Sequence, residues 1–180
     1  APSRSIGRIA AERPVDKGRA PLEVDGVALE WKWLFIYPDY GIATVNELAA
    51  PVDRPINFRI TASTVMNSFY IPALAGQIYA MPGMQSRLHA VINKSGLYRG
   101  FSANYSGAGF SGMRFAFHGL SNAEFAGWIE KAKASGSSLS REGYLALERP
   151  SANEPVRYYS SADGDLFRRE RPAAQLTELG

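Results

Sequence analysis

The segment that decides the fold is residues 97–118, LYRGFSANYSGAGFSGMRFAFH. Its middle part, from Gly100 to Met113, alternates Gly, Ser and Ala with Phe and Tyr and carries no charged residue. Because each glycine costs roughly 1 kcal/mol in a helix relative to alanine, this composition predicts a long shaped loop on a β scaffold. After the loop, Met113, Phe115 and Phe117 share one face, which predicts a strand leading out of it.

Short strands separated by Gly and Pro turns are predicted on both sides of this loop. The clearest is residues 56–60, in which Ile56, Phe58 and Ile60 alternate with polar residues and define a buried face. Further strands are predicted at residues 22–37, 42–48, 65–71, 77–80, 87–92 and 97–101, with turns at 38–41, 49–55 and 93–96. Many short strands at this spacing predict a mainly β fold, a sandwich or a barrel.

The pattern changes to helical after Gly119. Ser121 and Glu124 have the spacing of a capping box, and four apolar residues follow at helical spacing: Phe125, Trp128, Ile129 and Ala132. A second short helix at 140–147, an extended aromatic piece at 156–159 and a helical turn at 163–169 are also predicted. The sequence thus divides into a flexible leader (1–20), a β domain (21–120) and a helical, aromatic-rich C-terminal extension (121–180).

Composition excludes several classes of function. The chain has no cysteine, which excludes thiolate metal sites, thiol catalysis and disulfides. Its net charge of +3 comes without a long basic run, and the cluster of Arg168, Arg169 and Arg171 is better interpreted as a solvated helix end than as a nucleic-acid surface. The longest uncharged run, residues 60–86, is interrupted by Pro and Gly and does not predict a membrane-spanning helix.

No catalytic or metal site is indicated by the spacing of the residues. His89 and His118 both point away from the predicted core and have no second ligand at metal-binding spacing, which predicts surface histidines. Residues 109–113, GFSGM, resemble a serine nucleophile motif, but the glycine is one position early and no helix follows. The aromatic run at 31–37 has two interpretations, a core strand or a surface on which Trp31 and Trp33 face a partner.

Three pieces of the sequence together resemble subunit II of the haem–copper respiratory oxidases: the loop, the segment VMNSFYIP at 65–72 and the aromatic run at 31–37. That family carries a cupredoxin-like Greek-key β-sandwich on the outer side of the bacterial membrane. Its cytochrome c-oxidising members hold a dinuclear copper centre there. The ligands are a His before Ser-x-x-Ile-Pro, followed by Cys-x-Glu-x-Cys-x-x-x-His-x-x-Met.

The ligand positions of that copper centre are preserved in spacing but not in chemistry. Five of them hold residues of a different type: Asn67, Ser102, Asn104, Ser106 and Phe110. Only the methionine, Met113, is retained. Soft bridging sulfur is what binds and couples two copper ions, and serine hydroxyls are hard ligands. The pattern therefore resembles the cytochrome bo-type ubiquinol oxidases, in which electrons from a membrane quinol enter the large haem subunit directly.

The resemblance implies a non-catalytic subunit II of a ubiquinol oxidase in the bacterial inner membrane, with this domain in the periplasm. It implies no cofactor in this chain and haem and copper in the large subunit. The expected partners are the oxidase subunits, with neither cytochrome c nor nucleic acid among them. The tail at 156–167 resembles the aromatic-rich segment of these subunits. The family has two transmembrane helices before the sandwich, and we expect this chain to be the part outside the membrane.

The uncharged loop is suited to burial in a large interface, because little desolvation opposes it. Its candidate anchors are Phe101, Tyr105 and Phe110, although Phe110 is equally suited to filling the space left by copper. The alternative function is a free-standing periplasmic binding module on a copper-free cupredoxin scaffold.

Overall fold

Two β-sheets packed face to face carry most of the chain. The structure is a computed structural model, and it describes residues 20–63, 67–74, 76–102, 113–151 and 154–162. Within these ranges no helix has the length and apolar character needed to span a bilayer. The prediction of a mainly β, cupredoxin-like fold with a helical C-terminal extension is confirmed.

The elements follow one another in this order along the chain. The strands are β1 (Leu22–Leu29), β2 (Lys32–Tyr37), β3 (Ile42–Val45), β4 (Glu47–Pro51), β5 (Ile56–Ala62), β6 (Asn67–Ile71), β7 (Gly76–Ala80), β8 (Ser86–Ala90), β9 (Gly96–Ser102), β10 (Arg114–Leu120), β11 (Ser138–Leu139), β12 (Arg157–Tyr159) and β13 (Ser161–Ala162). The helices are α1 (Asn122–Lys133) and α2 (Arg141–Glu148), and a 3₁₀ turn, Pro72–Leu74, follows β6.

The first sheet has six strands in the order β12-β3-β2-β1-β5-β8, and the second has five in the order β4-β10-β9-β6-β7. The pairs β1–β5 and β4–β10 are parallel, and the remaining pairs in these two sheets are antiparallel. A small third pair joins β11 to β13. This mixed pairing results from a chain that alternates between the two sheets.

Aromatic rings fill the space between the two sheets. Phe69 and Phe115 of the second sheet stack with centroids 5.3 Å apart and planes within 4°. Phe35 of the first sheet meets Phe115 edge-on at 5.1 Å, and Trp33 meets Phe69 at 5.5 Å. Edge-to-face and offset contacts of this kind add about 0.5–1.5 kcal/mol per pair beyond the burial of apolar area. The inward-facing residues predicted for 56–60 and 113–117 are all buried in this core.

The chain crosses from the first sheet to the second at Asn46, where sequence predicted one continuous strand. Asn46 has φ 59°, in the left-handed region that Asn tolerates better than other side chains. Its Oδ1 accepts a hydrogen bond from the Trp33 backbone N–H at 2.9 Å, which holds the crossing against β2. The predicted strand at 42–48 is therefore two strands, and Ala49, predicted to lie in a turn, is a fully buried strand residue.

The helical extension packs directly on the sandwich. The capping box of α1 is formed as predicted, with Glu124 N–H donating to Ser121 Oγ at 3.1 Å and Ser121 N–H donating to Glu124 Oε1 at 3.0 Å. The predicted apolar face of α1 joins the main core between β4 of the second sheet and β3 and β12 of the first. Helix α1 thereby closes the edge of the sandwich that is formed by β4 and β12.

The same extension covers the outer face of the first sheet. Tyr144 and Leu147 of α2 pack with Leu34 and Val45 in a second hydrophobic cluster. Strand β12 pairs antiparallel with β3, so the aromatic piece predicted at 156–159 becomes an edge strand of the sheet. The predicted leader, the helical turn at 163–169 and the arginine cluster near the C-terminus lie outside the described residues.

Candidate functional site

Strand pairing brings three of the predicted ligand positions to the same end of the second sheet. Ser102 ends β9, and Met113 immediately precedes β10. The Ser102 N–H donates to the Met113 carbonyl at 3.3 Å. On the other side of β9, Phe69 is the register partner of Ser102, so that Asn67 stands two residues away at the start of β6. The three ligand positions that the structure describes, Asn67, Ser102 and Met113, therefore lie at one end of the second sheet.

A hydroxyl occupies the first cysteine position, and its bonding is defined. Ser102 Oγ accepts a hydrogen bond from Trp33 Nε1 at 3.2 Å and donates to Met113 Sδ at 3.3 Å. All three side chains are buried, with 5% of Ser102, 1% of Met113 and none of Trp33 exposed. The retained methionine thus serves as a hydrogen-bond acceptor at the end of the aromatic core.

These residues do not fit the copper centre that the fold family implies. A dinuclear copper site needs thiolate sulfur, and Ser102 supplies a neutral hydroxyl that is engaged with Trp33 and Met113. Three other ligand positions, Asn104, Ser106 and Phe110, and the candidate anchor Tyr105 lie outside the described residues. In the sequence those three ligand positions offer an amide, a second hydroxyl and a phenyl ring, none of which replaces a bridging thiolate.

The structure separates the residues proposed for an interface. Phe101 faces outward on β9, half-buried, with the Arg114 guanidinium 5.6 Å from its ring centroid. Trp31 is half-buried against the main core. The prediction that Trp33 faces a partner is wrong. Its ring lies wholly in the core between Phe35, Phe69 and Phe115 and is not exposed to solvent.

A carboxylate joins the β-sandwich to the aromatic extension. Glu47 Oε1 accepts hydrogen bonds from Trp128 Nε1 at 2.9 Å and from the Tyr158 hydroxyl, while Oε2 lies 3.3 Å from His118 Nε2. Burial by itself raises the pKa of Glu47, but the hydrogen bonds from Tyr158 and Trp128, together with His118, outweigh burial and hold that pKa below its usual value. Burial and the bond to Glu47 raise the pKa of Tyr158. One side chain therefore connects β4, β10, α1 and β12.

The two histidines differ from each other. His89 is exposed on β8 and contacts Asn57 Oδ1 through Nδ1, as predicted for a surface histidine. His118 keeps a third of its side chain exposed but has a carboxylate partner in Glu47, which sequence spacing did not indicate because the two residues are on neighbouring strands. Within the described ranges, no three His, Asp or Glu side chains lie close enough together to hold a metal ion.

A buried lysine fastens the extension to the start of β2. Lys32 Nζ donates to the carbonyl oxygens of Glu30 at 2.9 Å and Arg149 at 3.0 Å and to Ser151 Oγ at 2.8 Å. Burial lowers its pKa. A cavity of about 380 Å³ lies beside it between α2 and β12. Because all three protons of the ammonium are used, we assign Lys32 to fastening the chain rather than to binding a ligand.

The sequence contains one signal, an isolated charge, that could have identified both Glu47 and Lys32 as residues that hold the extension on the sandwich. Glu47 and Lys32 are the single charged residues of two otherwise uncharged stretches, residues 42–52 and 31–38. A charge in a buried strand needs a specific partner, because an unpaired buried charge is strongly unfavourable. The partners, however, come from residues 118–158, and their identity follows only from the fold.

Two family models match this chain. One is described as the periplasmic domain of cytochrome c oxidase subunit II and matches residues 40–119. The other, the COX aromatic-rich motif, matches residues 133–169. The first spans the strands that form the candidate site, and the second spans α2 and β12, which fasten the extension to the first sheet.

Relatives and solved structures agree with these matches. The chain is 51% identical to cytochrome bo(3) ubiquinol oxidase subunit 2 of Pseudomonas putida and 52% identical to that of Pseudomonas aeruginosa, over 91% of this chain in both cases. It spans about half the length of these relatives, 52% and 49% respectively. The crystal structure of the periplasmic domain of subunit II of cytochrome oxidase from Bradyrhizobium japonicum superposes with a TM-score of 0.61 at 26% identity, covering 64% of this chain and 96% of that one.

Proposed function

This chain belongs to the subunit II family of haem–copper respiratory oxidases, in its ubiquinol oxidase branch, and from that premise we propose that it is a non-catalytic subunit of a quinol oxidase complex. The complex oxidises ubiquinol and reduces oxygen to water. The present domain lies in the periplasm and caps the haem-bearing subunit. The rest of the protein anchors it in the bacterial inner membrane.

One observation carries this proposal, the bonding of Ser102. At the position where the cytochrome c-oxidising members of the family place a thiolate, a neutral hydroxyl donates to Met113 Sδ and accepts from Trp33 Nε1. Such a site cannot hold the soft metal that would receive an electron from a soluble cytochrome. Electrons therefore reach the haem and copper of the large subunit from quinol, without a relay through this chain.

The contact with the large subunit is proposed for the end of the second sheet that carries the uncharged loop. Phe101 faces outward there, and the loop sequence adds Tyr105 and Phe110. Aromatic residues are enriched in the buried centre of permanent interfaces, and residues 102–113 of this loop carry no charge. Trp31, half-buried and with an aromatic face, is a further candidate at this surface.

The test is affinity purification of the tagged full-length protein from detergent-solubilised membranes, with untagged membranes as the control. We expect haem to co-purify and oxygen uptake to be driven by ubiquinol but not by reduced cytochrome c. Haem without ubiquinol-driven uptake would contradict the assignment to the quinol branch. A tagged protein recovered alone, without haem, would contradict the subunit assignment and favour the free-standing periplasmic binding module.

A further inference from the structure

Among the described residues, no helix or other sheet packs on the outward side chains of β9 in the second sheet, and we call this side of the sheet the open face. On β9 the residues alternate strictly, with Leu97, Arg99 and Phe101 pointing outward and Gly100 and Ser102 pointing into the core. Leu97 has 55% of its surface exposed, which is high for a leucine at the start of a strand. By contrast, α2 and the β11–β13 pair cover the outer face of the first sheet. We define the open face by its outward residues Tyr70, Leu97, Arg99, Phe101 and Arg114.

This face is positively charged. Arg99 and Arg114 are both exposed, and they stand on neighbouring strands, with Arg114 in register with Phe101 and Arg99 with Ala116. Among the described residues no carboxylate forms an ion pair with either arginine. The acidic group of the same sheet, Glu47, is at the far edge and is engaged with α1 and β12.

One of the two arginines is held by a ring. The Arg114 guanidinium lies 5.6 Å from the Phe101 centroid, within the range of a cation–π contact. Holding the guanidinium in place reduces the conformational entropy that binding a carboxylate would cost. Arginine and aromatic residues combined on a partly apolar surface are the composition of protein interface hot spots.

We propose that the open face docks onto an acidic protein surface of another subunit of the oxidase complex, an inference that rests on the proposed function. The guanidinium groups of Arg99 and Arg114 pair with carboxylates of that surface, and Leu97 and Phe101 supply apolar contact between them. An anionic lipid surface fits less well, because sequence-readable lipid binding uses clusters of about four to eight basic residues. This face presents two.

The test uses charge reversal in the full-length subunit of the intact complex. The variant carries Arg99→Glu and Arg114→Glu, and a second variant carries Arg99→Lys and Arg114→Lys. Arg87→Glu is the matched control, because Arg87 is an exposed arginine on β8 at the edge of the other sheet. The measurement is the salt concentration at which half of the haem leaves the tagged, bead-bound subunit.

We expect the glutamate pair to lower this salt concentration by about threefold or more, because repulsion replaces attraction at two positions. For the lysine pair and for Arg87→Glu, the salt concentration that releases half of the haem should stay near the wild-type value. If the glutamate pair is missing from the membrane, Arg99→Gln with Arg114→Gln replaces it, with a smaller decrease expected.

An unchanged salt concentration in both charge-removing pairs would overturn the inference while leaving the proposed function intact. Wild-type subunit that retains no haem would instead contradict the proposed function itself. A reversed pair that keeps its haem but loses binding to vesicles containing phosphatidylglycerol would also overturn it, in favour of a membrane surface.

Discussion

Replacing Gly100 with alanine tests the packing that supports the candidate site. A Cβ at Gly100 would lie 2.0 Å from Phe115 Cζ and 2.3 and 2.4 Å from two further atoms of the same ring. The ring cannot simply move away, because Phe69 is stacked on it at 5.3 Å and Phe35 meets it edge-on at 5.1 Å. Gly100 is thus required by the close approach of Phe115.

The expected cost of Gly100→Ala is about 3 kcal/mol, the upper end of the range for overpacking a filled core. At about 2–4 °C per kcal/mol for a chain of this size, the melting temperature falls by about 6–12 °C. The measurement is urea and thermal unfolding followed by tryptophan fluorescence and circular dichroism. Adding Phe115→Leu makes room for the methyl group, so that the double variant should cost at least about 1 kcal/mol less than the sum of the single changes.

Gly127→Ala is the matched control. Gly127 is exposed in α1, and a Cβ there meets nothing within 4 Å. Because alanine favours the helix, this change should raise stability by about 0.5–1 kcal/mol. Two results would show that Gly100 and Phe115 are not tightly packed: a free energy of unfolding for Gly100→Ala within about 0.5 kcal/mol of the wild type, or a cost that is additive with that of Phe115→Leu.

Two further predictions concern the residues that fasten the extension. Glu47→Gln should cost about 1–3 kcal/mol at pH 7, because the charge-assisted bonds from Trp128 and Tyr158 weaken. The pKa of Glu47 in the folded protein lies below its ordinary value of 4.5, so the stabilisation by the Glu47 carboxylate is present above pH 4.5 and is lost as the pH falls through the folded-state pKa. Urea titrations in which the variant and the wild type lose stability equally in acid would contradict this prediction. Lys32→Met should speed hydrogen exchange at the Ser151 amide by about tenfold or more, since Lys32 Nζ no longer bonds to Ser151 Oγ. Unchanged exchange at Ser151 would show that Lys32 does not hold this segment.

The sequence predicts those parts of the fold in which each local signal has one interpretation. Alternation at 56–60 and 113–117 identified buried faces correctly, because the period of two is specific to strands. The capping box formed by Ser121 and Glu124 identified the start of α1 correctly, because this pair at this spacing is specific to a helix N-terminus. The break at Asn46 was missed, since residues 42–48 contain no Gly or Pro to indicate that one strand ends and another begins there.

The candidate site was predictable only in its spacing. The positions of Ser102 and Met113 follow from resemblance, but the bond between them and the role of Trp33 depend on which face of β2 points inward. Because the sequence does not show which face of β2 points inward, Trp33 had two interpretations, and the structure shows that it is a core residue. Glu47 and its partners could not be paired from sequence, because Tyr158 lies 111 residues away and reaches Glu47 only after β12 joins β3.

We propose that this chain keeps the spacing of a dinuclear copper centre and has lost its ligands. The most direct test is the visible absorption of a copper-loaded variant with five substitutions: Asn67→His, Ser102→Cys, Asn104→Glu, Ser106→Cys and Phe110→His. We expect strong thiolate-to-copper charge-transfer bands in this variant and none in the wild type or in a control that keeps Ser102 and Ser106. A five-position variant that folds like the wild type but stays colourless with copper would contradict it.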